Sequence, residues 1–168
     1  RSRFLDACAQ RRVSRPPVWL YGAAGPYLPE YRKFVSRHGM DGILAQPELA
    51  VEAAMQPRER FELDAVMTPG DGSLVAEGIG LPCARATDGT IRFPLHIESD
   101  AHVDSLDPTR LHERFAAIPA AQRQLRERHG DDTALLGFAT APFSLAAMMV
   151  EGSRPTHHTR IKEMFFLR

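Results

Sequence analysis

The side chains able to do acid–base, nucleophilic or metal chemistry are sparse in this chain and widely spaced. Asp71 stands in the string Pro69-Gly70-Asp71-Gly72, His157 and His158 are adjacent, His96 and His102 flank a polar stretch, and Cys8 lies far from Cys83. A lone carboxylate at a strand end can accept N–H hydrogen bonds and stabilise a developing cation. Pro-Gly-Asp-Gly is also a favourable turn sequence in its own right, because aspartate and glycine both suit turn backbones. Adjacent histidines on a regular element point in different directions and chelate poorly, so His157 and His158 are expected on a surface loop or at a helix start. His96 and His102 are expected to be solvated. The cysteines form no C-x-x-C pair, so neither a disulfide framework nor a zinc knuckle is indicated, and a reducing, cytoplasmic setting fits them. No metal site is expected from these spacings.

The loop Gly22-Ala23-Ala24-Gly25-Pro26 has the small residues of a ligand-approach loop, since a backbone without bulky side chains lets a ligand come close. It lacks both the G-x-G-x-x-G spacing and the lysine of a phosphate cradle, so nucleotide binding is not implied. Met148, in an Ala/Met-rich apolar run, reads either as core packing or as the lining of a pocket; its thioether cannot donate a hydrogen bond.

Net charge narrows the partner classes. Lysine plus arginine total 21 and aspartate plus glutamate 21 across the 168 residues, so no net positive field attracts nucleic acid or an anionic membrane. No apolar run reaches the length of a membrane span and no basic-then-apolar leader is present. A small-molecule or protein partner is expected. The chain opens on Arg1 and stops at Arg168 within the apolar-periodic IKEMFFLR, which suggests a portion of a longer protein.

The elements that must position these residues alternate between strand and helix patterns. A short helix is expected over Arg3–Arg12, ended by the Arg15-Pro16-Pro17 run. Val18-Trp19-Leu20-Tyr21 reads as a buried first strand of a parallel sheet. Pro29–His38 is helical in pattern with Gly39 as its stop, and Pro47 opens a helix to about Phe61 with Leu49, Val51, Ala54 and Met55 on its apolar face. Asp64–Thr68 is a second buried strand. Cys83–Ala86 and Ile91–Leu95 flank an Asp-Gly turn and read as a hairpin set apart from the main sheet. Ser99 caps a short helix through Leu106, Asp107-Pro108 starts another, and Pro119 interrupts or restarts the helix reaching Gly130. Leu135–Ala139 is the third buried strand, followed by a helix over Ala141–Val150. This alternation calls for a parallel α/β sheet with right-handed crossovers, and three such strands cannot close a barrel alone.

Against that pattern, PVWLYGAAGPYLPEYR from Pro17 to Arg32 resembles the signature of the uroporphyrinogen decarboxylase family. The likeness continues through PELAVEAAMQPRERFELDAV and GFATAPFSLAAMMVEG, so it covers nearly the whole chain. The resemblance implies a (β/α)8 TIM barrel, here as the N-terminal half of a single domain spanning residues 1–168. It implies a cytoplasmic homodimer that decarboxylates the acetate arms of uroporphyrinogen, a tetrapyrrole, without a cofactor. Its site residues align with Gly22, Ala23, Ala24, Gly25 and Pro26 after the first strand, with Asp71 after the second, and with Met148 in the helix after the third. Asp71 stands where the family carries its aspartate. At Gly22, Ala23 and Pro26, however, the family normally places two arginines and a glutamine, and at Met148 a tyrosine. Each arginine–carboxylate hydrogen bond is worth about 1.5–3 kcal/mol, so the loss of two guanidinium groups points to a substrate less anionic than uroporphyrinogen. Other functions compatible with this barrel are a zinc- or corrinoid-dependent methyltransferase, with ligands outside this chain, and a non-catalytic homologue.

Overall fold

Proline and glycine set the helix boundaries in the computed structural model, which describes residues 2–20, 28–70, 72–86, 90–111 and 115–167. Helix α1 covers Arg3–Cys8, shorter than its apolar pattern suggested. Gln10 takes a positive φ of 56°, and the Arg11 N–H donates to the Asp6 carbonyl at 2.9 Å, closing the chain after α1. Helix α2 covers Pro29–Ala45 with proline in its first turn. Gly39 (φ 67°, ψ 154°) kinks it where a stop was expected, a conformation that glycine alone enters without a Cβ penalty. Helix α3 covers Pro47–Phe61, the span its sequence predicts, and strand β1 follows at Ala65–Met67.

The chain then leaves this region and returns to it. Helix α4 (Ser73–Gly78), strands β2 (Ala84–Arg85) and β3 (Ile91–Arg92), and helix α5 (Asp100–Asp104) come first. A 3-10 turn spans Pro108–Arg110. Helix α6 (Ala117–His129), strand β4 (Ala134–Leu136) and helices α7 (Pro142–Glu151) and α8 (Thr159–Phe166) complete the order. These elements form two compact units: Arg1–Gly70 with Ala116–Phe138, and Asp71–Phe115 with Ala139–Arg168.

In the first unit β1 pairs with β4 in parallel, Ala65 opposite Ala134, Val66 opposite Leu135 and Met67 opposite Leu136. Parallel neighbours require a long crossover, and the whole second unit up to Phe115 plus α6 lies between them in sequence. Helix α3 holds this sheet by burying two faces. Ala50, Val51, Ala54 and Met55 meet Val66 of β1 and Ala121 and Leu125 of α6, while Ala53 meets Tyr31, Phe34 and Ile43 of α2. Alanine on both faces lets the neighbours approach, and the larger apolar side chains contribute about 1.5–3 kcal/mol each on full burial.

The expected first strand differs from the structure. Among the described residues Val18, Trp19 and Leu20 are in no strand ladder and Val18 is exposed; Tyr21 lies outside the described residues. Pro16 and Pro17 have no N–H to donate to a ladder, and Val18 is tied to Asp64 by two hydrogen bonds. Its N–H donates to the Asp64 carboxylate at 2.8 Å and its carbonyl accepts from Asp64 N–H at 3.0 Å.

In the second unit β2 and β3 form an antiparallel hairpin of their own, Ala84 opposite Arg92 and Arg85 opposite Ile91, set apart from the parallel pair as its sequence suggested. The chain after the hairpin is tied to the end of α7. Phe93 N–H donates to the Gly152 carbonyl at 2.7 Å and Ile97 N–H to the Met149 carbonyl at 2.9 Å. The second bond satisfies one of the last carbonyls of α7, which have no partner within their own helix. Phe93 and Ile97 then bury against Ala76, Leu81, Ala147, Met148, Val150 and Ile161.

Candidate active site

In parallel α/β folds chemistry gathers at the C-terminal ends of the strands, so the residues following β1 and β4 frame the candidate site. After β1, Thr68 is 2 % exposed, and its hydroxyl accepts from the Gln122 amide of α6 at 3.5 Å. Pro69 and Gly70 follow. After β4, Gly137, Phe138 and Ala139 are exposed. Phe138 borders the first of these segments, because a Cβ on Gly70 would lie 3.6 Å from its ring. Asp71 and Gly22, Ala23, Ala24, Gly25 and Pro26 lie outside the described residues.

The two glycines flanking Asp71 differ in the room around them. A side chain at Gly70 would make ordinary contact with Phe138, whereas a Cβ on Gly72 would sit 2.6 Å from the Thr140 hydroxyl, closer than real Cβ contacts allow. Any side chain at position 72 would therefore require Thr140 to move.

Next to Gly72, Ser73 is fully buried and its hydroxyl accepts a hydrogen bond from Arg85. The same guanidinium donates to both oxygens of Glu77, at 3.1 and 2.9 Å, and the two side chains are only 7 % and 10 % exposed. Neither residue stood out in the sequence. The available signal was one arginine inside the otherwise apolar Cys83-Ala84-Arg85-Ala86 strand, a position that needs a partner wherever it is covered.

Met148 is 8 % exposed and sits in the apolar core of the second unit, beside Leu81, Phe93 and Ile161. An open cleft of about 360 Å³ in that unit is lined by Ile97, Glu98, Val150, Arg160, Glu163 and Met164 and by none of the predicted site residues. His96 and His102 are half-buried in hydrogen bonds that remain open to solvent: His96 Nε2 lies 2.7 Å from Glu98 Oε1, and His102 Nδ1 accepts from Glu98 N–H at 3.2 Å. His158 is the N-cap of α8 with its ring edge toward Phe143, and His157 is exposed before it. Among the described residues no group of three or more His, Cys, Asp or Glu could hold a metal ion, and no helix is long and apolar enough to cross a membrane.

A charge cluster lies at the opposite end of β1. Asp64, just before the strand, accepts from Arg3, from Arg15 at 2.7 Å and from Val18 N–H at 2.8 Å. Burial pushes its carboxyl up, but the Val18 N–H and the two guanidinium groups outweigh it and hold the group below the ordinary aspartate range. Arg15 is thus bound at the N-terminal end of the strand. Arg154 is exposed.

Comparison with known proteins follows the same geometry. The family model described as Uroporphyrinogen decarboxylase (URO-D) matches residues 1–168. The uroporphyrinogen decarboxylase of Methylococcus capsulatus is 36 % identical over 167 residues, covering 97 % of this chain and 47 % of the relative. Those of Mycobacterium ulcerans and Rhodospirillum rubrum are each 37 % identical, covering 97 % and 98 % of this chain and 46 % and 47 % of the relatives. The chain thus spans about half the length of the curated relatives it matches. Among solved structures, a methyltransferase from Methanosarcina mazei superposes with a TM-score of 0.67 at 21 % identity, covering 88 % of this chain and 44 % of that one. At that identity it shows a shared fold alone: part of a (β/α) barrel.

Proposed function

Because the chain belongs to the uroporphyrinogen decarboxylase family, we propose that it is the Asp71-bearing part of a cofactor-free carboxy-lyase acting on a tetrapyrrole acetate, with a substrate less anionic than uroporphyrinogen. The observation carrying this reading is the family match over residues 1–168 combined with an aspartate kept at position 71 and cations absent at Gly22, Ala23 and Pro26. The chemistry needs only a proton and a well-placed negative charge. Protonation of a pyrrole carbon makes the ring cationic; the bond from the acetate methylene to its carboxylate then breaks, and its electron pair flows into the ring as carbon dioxide leaves. A second proton on the exocyclic carbon gives the methyl group, and the ring proton is returned. In this scheme Asp71 accepts the pyrrole N–H hydrogen bonds and stabilises the cation. A homodimer and a cytoplasmic setting belong to the same proposal.

The test uses the full-length protein, incubated anaerobically with uroporphyrinogen and with a tetrapyrrole bearing fewer carboxylates, with products separated by chromatography. Decarboxylation of the less anionic compound, abolished in Asp71→Asn, is expected. A gain of uroporphyrinogen turnover in Gly22→Arg supports loop divergence as the source of altered specificity. No product from either compound with the parent protein sinks the reading.

A further inference from the structure

Helix α5 begins in a reciprocal pair of hydrogen bonds, and His102 takes part in both. Ser99 is the N-cap, and its hydroxyl accepts from the His102 N–H at 3.4 Å. The imidazole of His102 reaches back in turn, its Nδ1 accepting from the Glu98 N–H at 3.2 Å. This is the pattern of a capping box, in which a serine or threonine cap is answered by a glutamate or glutamine three residues on. Histidine stands at that third position here and serves the amide one residue further back. The bond lies where fixed chain meets exposed chain. Ile97, just before it, is buried, and its N–H is bonded to the Met149 carbonyl at 2.9 Å. The Glu98 side chain is 59 % exposed on the rim of the cleft, 2.7 Å from His96 and 3.5 Å from Arg160.

We propose that His102 makes the start of α5 a pH-sensitive cap: neutral, it ties the helix back to Glu98, and protonated, it lets the segment 98–104 at the cleft rim open. Only a neutral imidazole with its proton on Nε2 offers Nδ1 as an acceptor; a second proton sets one N–H against another. A glutamine would accept at any pH, so histidine is what adds the titration. The cap is therefore complete above the range in which histidine titrates and is lost as pH falls through it. The charged groups on the segments around it are Asp100 and Asp104 of α5, His96 and Glu98 before it, Arg160 and Glu163 of α8, and Glu151 of α7. The Glu151 carboxylate already accepts from the Ile161 N–H at 3.2 Å, and the carboxylates of Glu98, Asp100, Asp104 and Glu163 are on exposed residues, where water and salt screen their pull on a cation. The direct bond to the Glu98 amide thus sets the direction. His96 works in the opposite sense on the same residue, because its protonation strengthens the contact with the Glu98 carboxylate. Acid tightens the side chain of Glu98 while loosening its backbone.

The test follows the full-length protein between pH 8 and pH 5 by two readouts. Nitrogen-15 shifts of the histidine rings report the tautomer of His102, and hydrogen exchange of the amides at 98–104, corrected for the intrinsic effect of pH, reports local opening. Neutral His102 is expected to carry its proton on Nε2, and the corrected exchange to quicken about fivefold on acidification, the scale of one hydrogen bond, with the amides of α7 unchanged. His102→Gln keeps an acceptor without a titrating group, so it should stay protected across the whole range. His102→Phe removes the acceptor and should exchange at pH 8 as the parent does at pH 5. His96→Gln should keep the parent's pH dependence. A proton on Nδ1 in neutral His102, or corrected exchange at 98–104 that is indifferent to pH, overturns the proposal; both are read on the parent protein and need no variant to fold. A pH dependence that survives in His102→Gln and vanishes in His96→Gln overturns it as well.

Discussion

At the N-terminal end of β1, Asp64 takes hydrogen bonds from Arg3, Arg15 and the Val18 amide, and just before β4 the Thr133 hydroxyl takes one from Arg58 at 3.1 Å. At the C-terminal ends the same strands run into Thr68-Pro69-Gly70 and Gly137-Phe138-Ala139-Thr140, segments with no charged residue. The contrast separates two uses of charge in one sheet. A carboxylate with three donors is committed to holding the chain, because any other partner would first have to displace those bonds. In barrels of this kind conserving the fold and doing the chemistry are divided between the two faces, the chemistry gathering at the C-terminal ends of the strands.

The sharpest way to break the comparison is to remove one aspartate from each end. Asp71→Asn is expected to lower kcat by about 100-fold or more, the scale set by losing one well-placed electrostatic partner of a transition state. Steady-state assays on the full-length protein check it, and a kcat within a few-fold of the parent would place the chemistry elsewhere. Asp64→Ala is expected instead to cost about 2–3 kcal/mol of stability, the scale of charge-assisted hydrogen bonds, read from urea midpoints.

The same residue predicts a pH dependence. The folded-state pKa of Asp64 is held below its ordinary value, so its contribution is fully present above about pH 4 and is lost as pH falls through the lower folded value. The parent protein should lose stability more steeply than Asp64→Ala over that acid range; identical slopes would show that the cluster does not hold the chain.

Smaller effects sharpen the contrast at the other end. Gly72→Ala forces a methyl group against Thr140 and is expected to cost about 1–3 kcal/mol, whereas Gly70→Ala should change stability by under about 0.5 kcal/mol. A Thr140→Ala background should remove most of the Gly72→Ala penalty, and additive costs in that double-mutant cycle would contradict the steric account. Last, Thr133→Val leaves the Arg58 guanidinium without its hydroxyl partner and is expected to cost about 1 kcal/mol by thermal unfolding.

Local rules carried the helices well. Pro47 at a first turn and the apolar spacing to Met55 define α3 as it is found, and Gly39 and Gly152 take the positive φ values that end or kink regular helix. The same rules failed at Val18-Trp19-Leu20, where an apolar run was read as buried strand. Hydrophobic pattern reports that a segment can be covered; whether it pairs depends on a neighbour with free donors and acceptors, and the Val18 N–H is taken by the Asp64 carboxylate rather than by a strand carbonyl. For the candidate site, Asp71 and the altered loop were visible through family likeness, whereas Arg85 was not, because its partners Ser73 and Glu77 only become neighbours when the hairpin folds onto α4.

By itself, then, the sequence determined the span of α3, the hairpin, the β1 and β4 strand positions and the family, since each depends on backbone preferences or spacing within a few residues. Tertiary structure alone decided that β1 lies beside β4, that Arg3 and Arg15 meet an aspartate 61 and 49 residues away, and that Thr140 leaves no room at Gly72. Those contacts join residues remote in the chain, and their energies appear only after the intervening loops have closed.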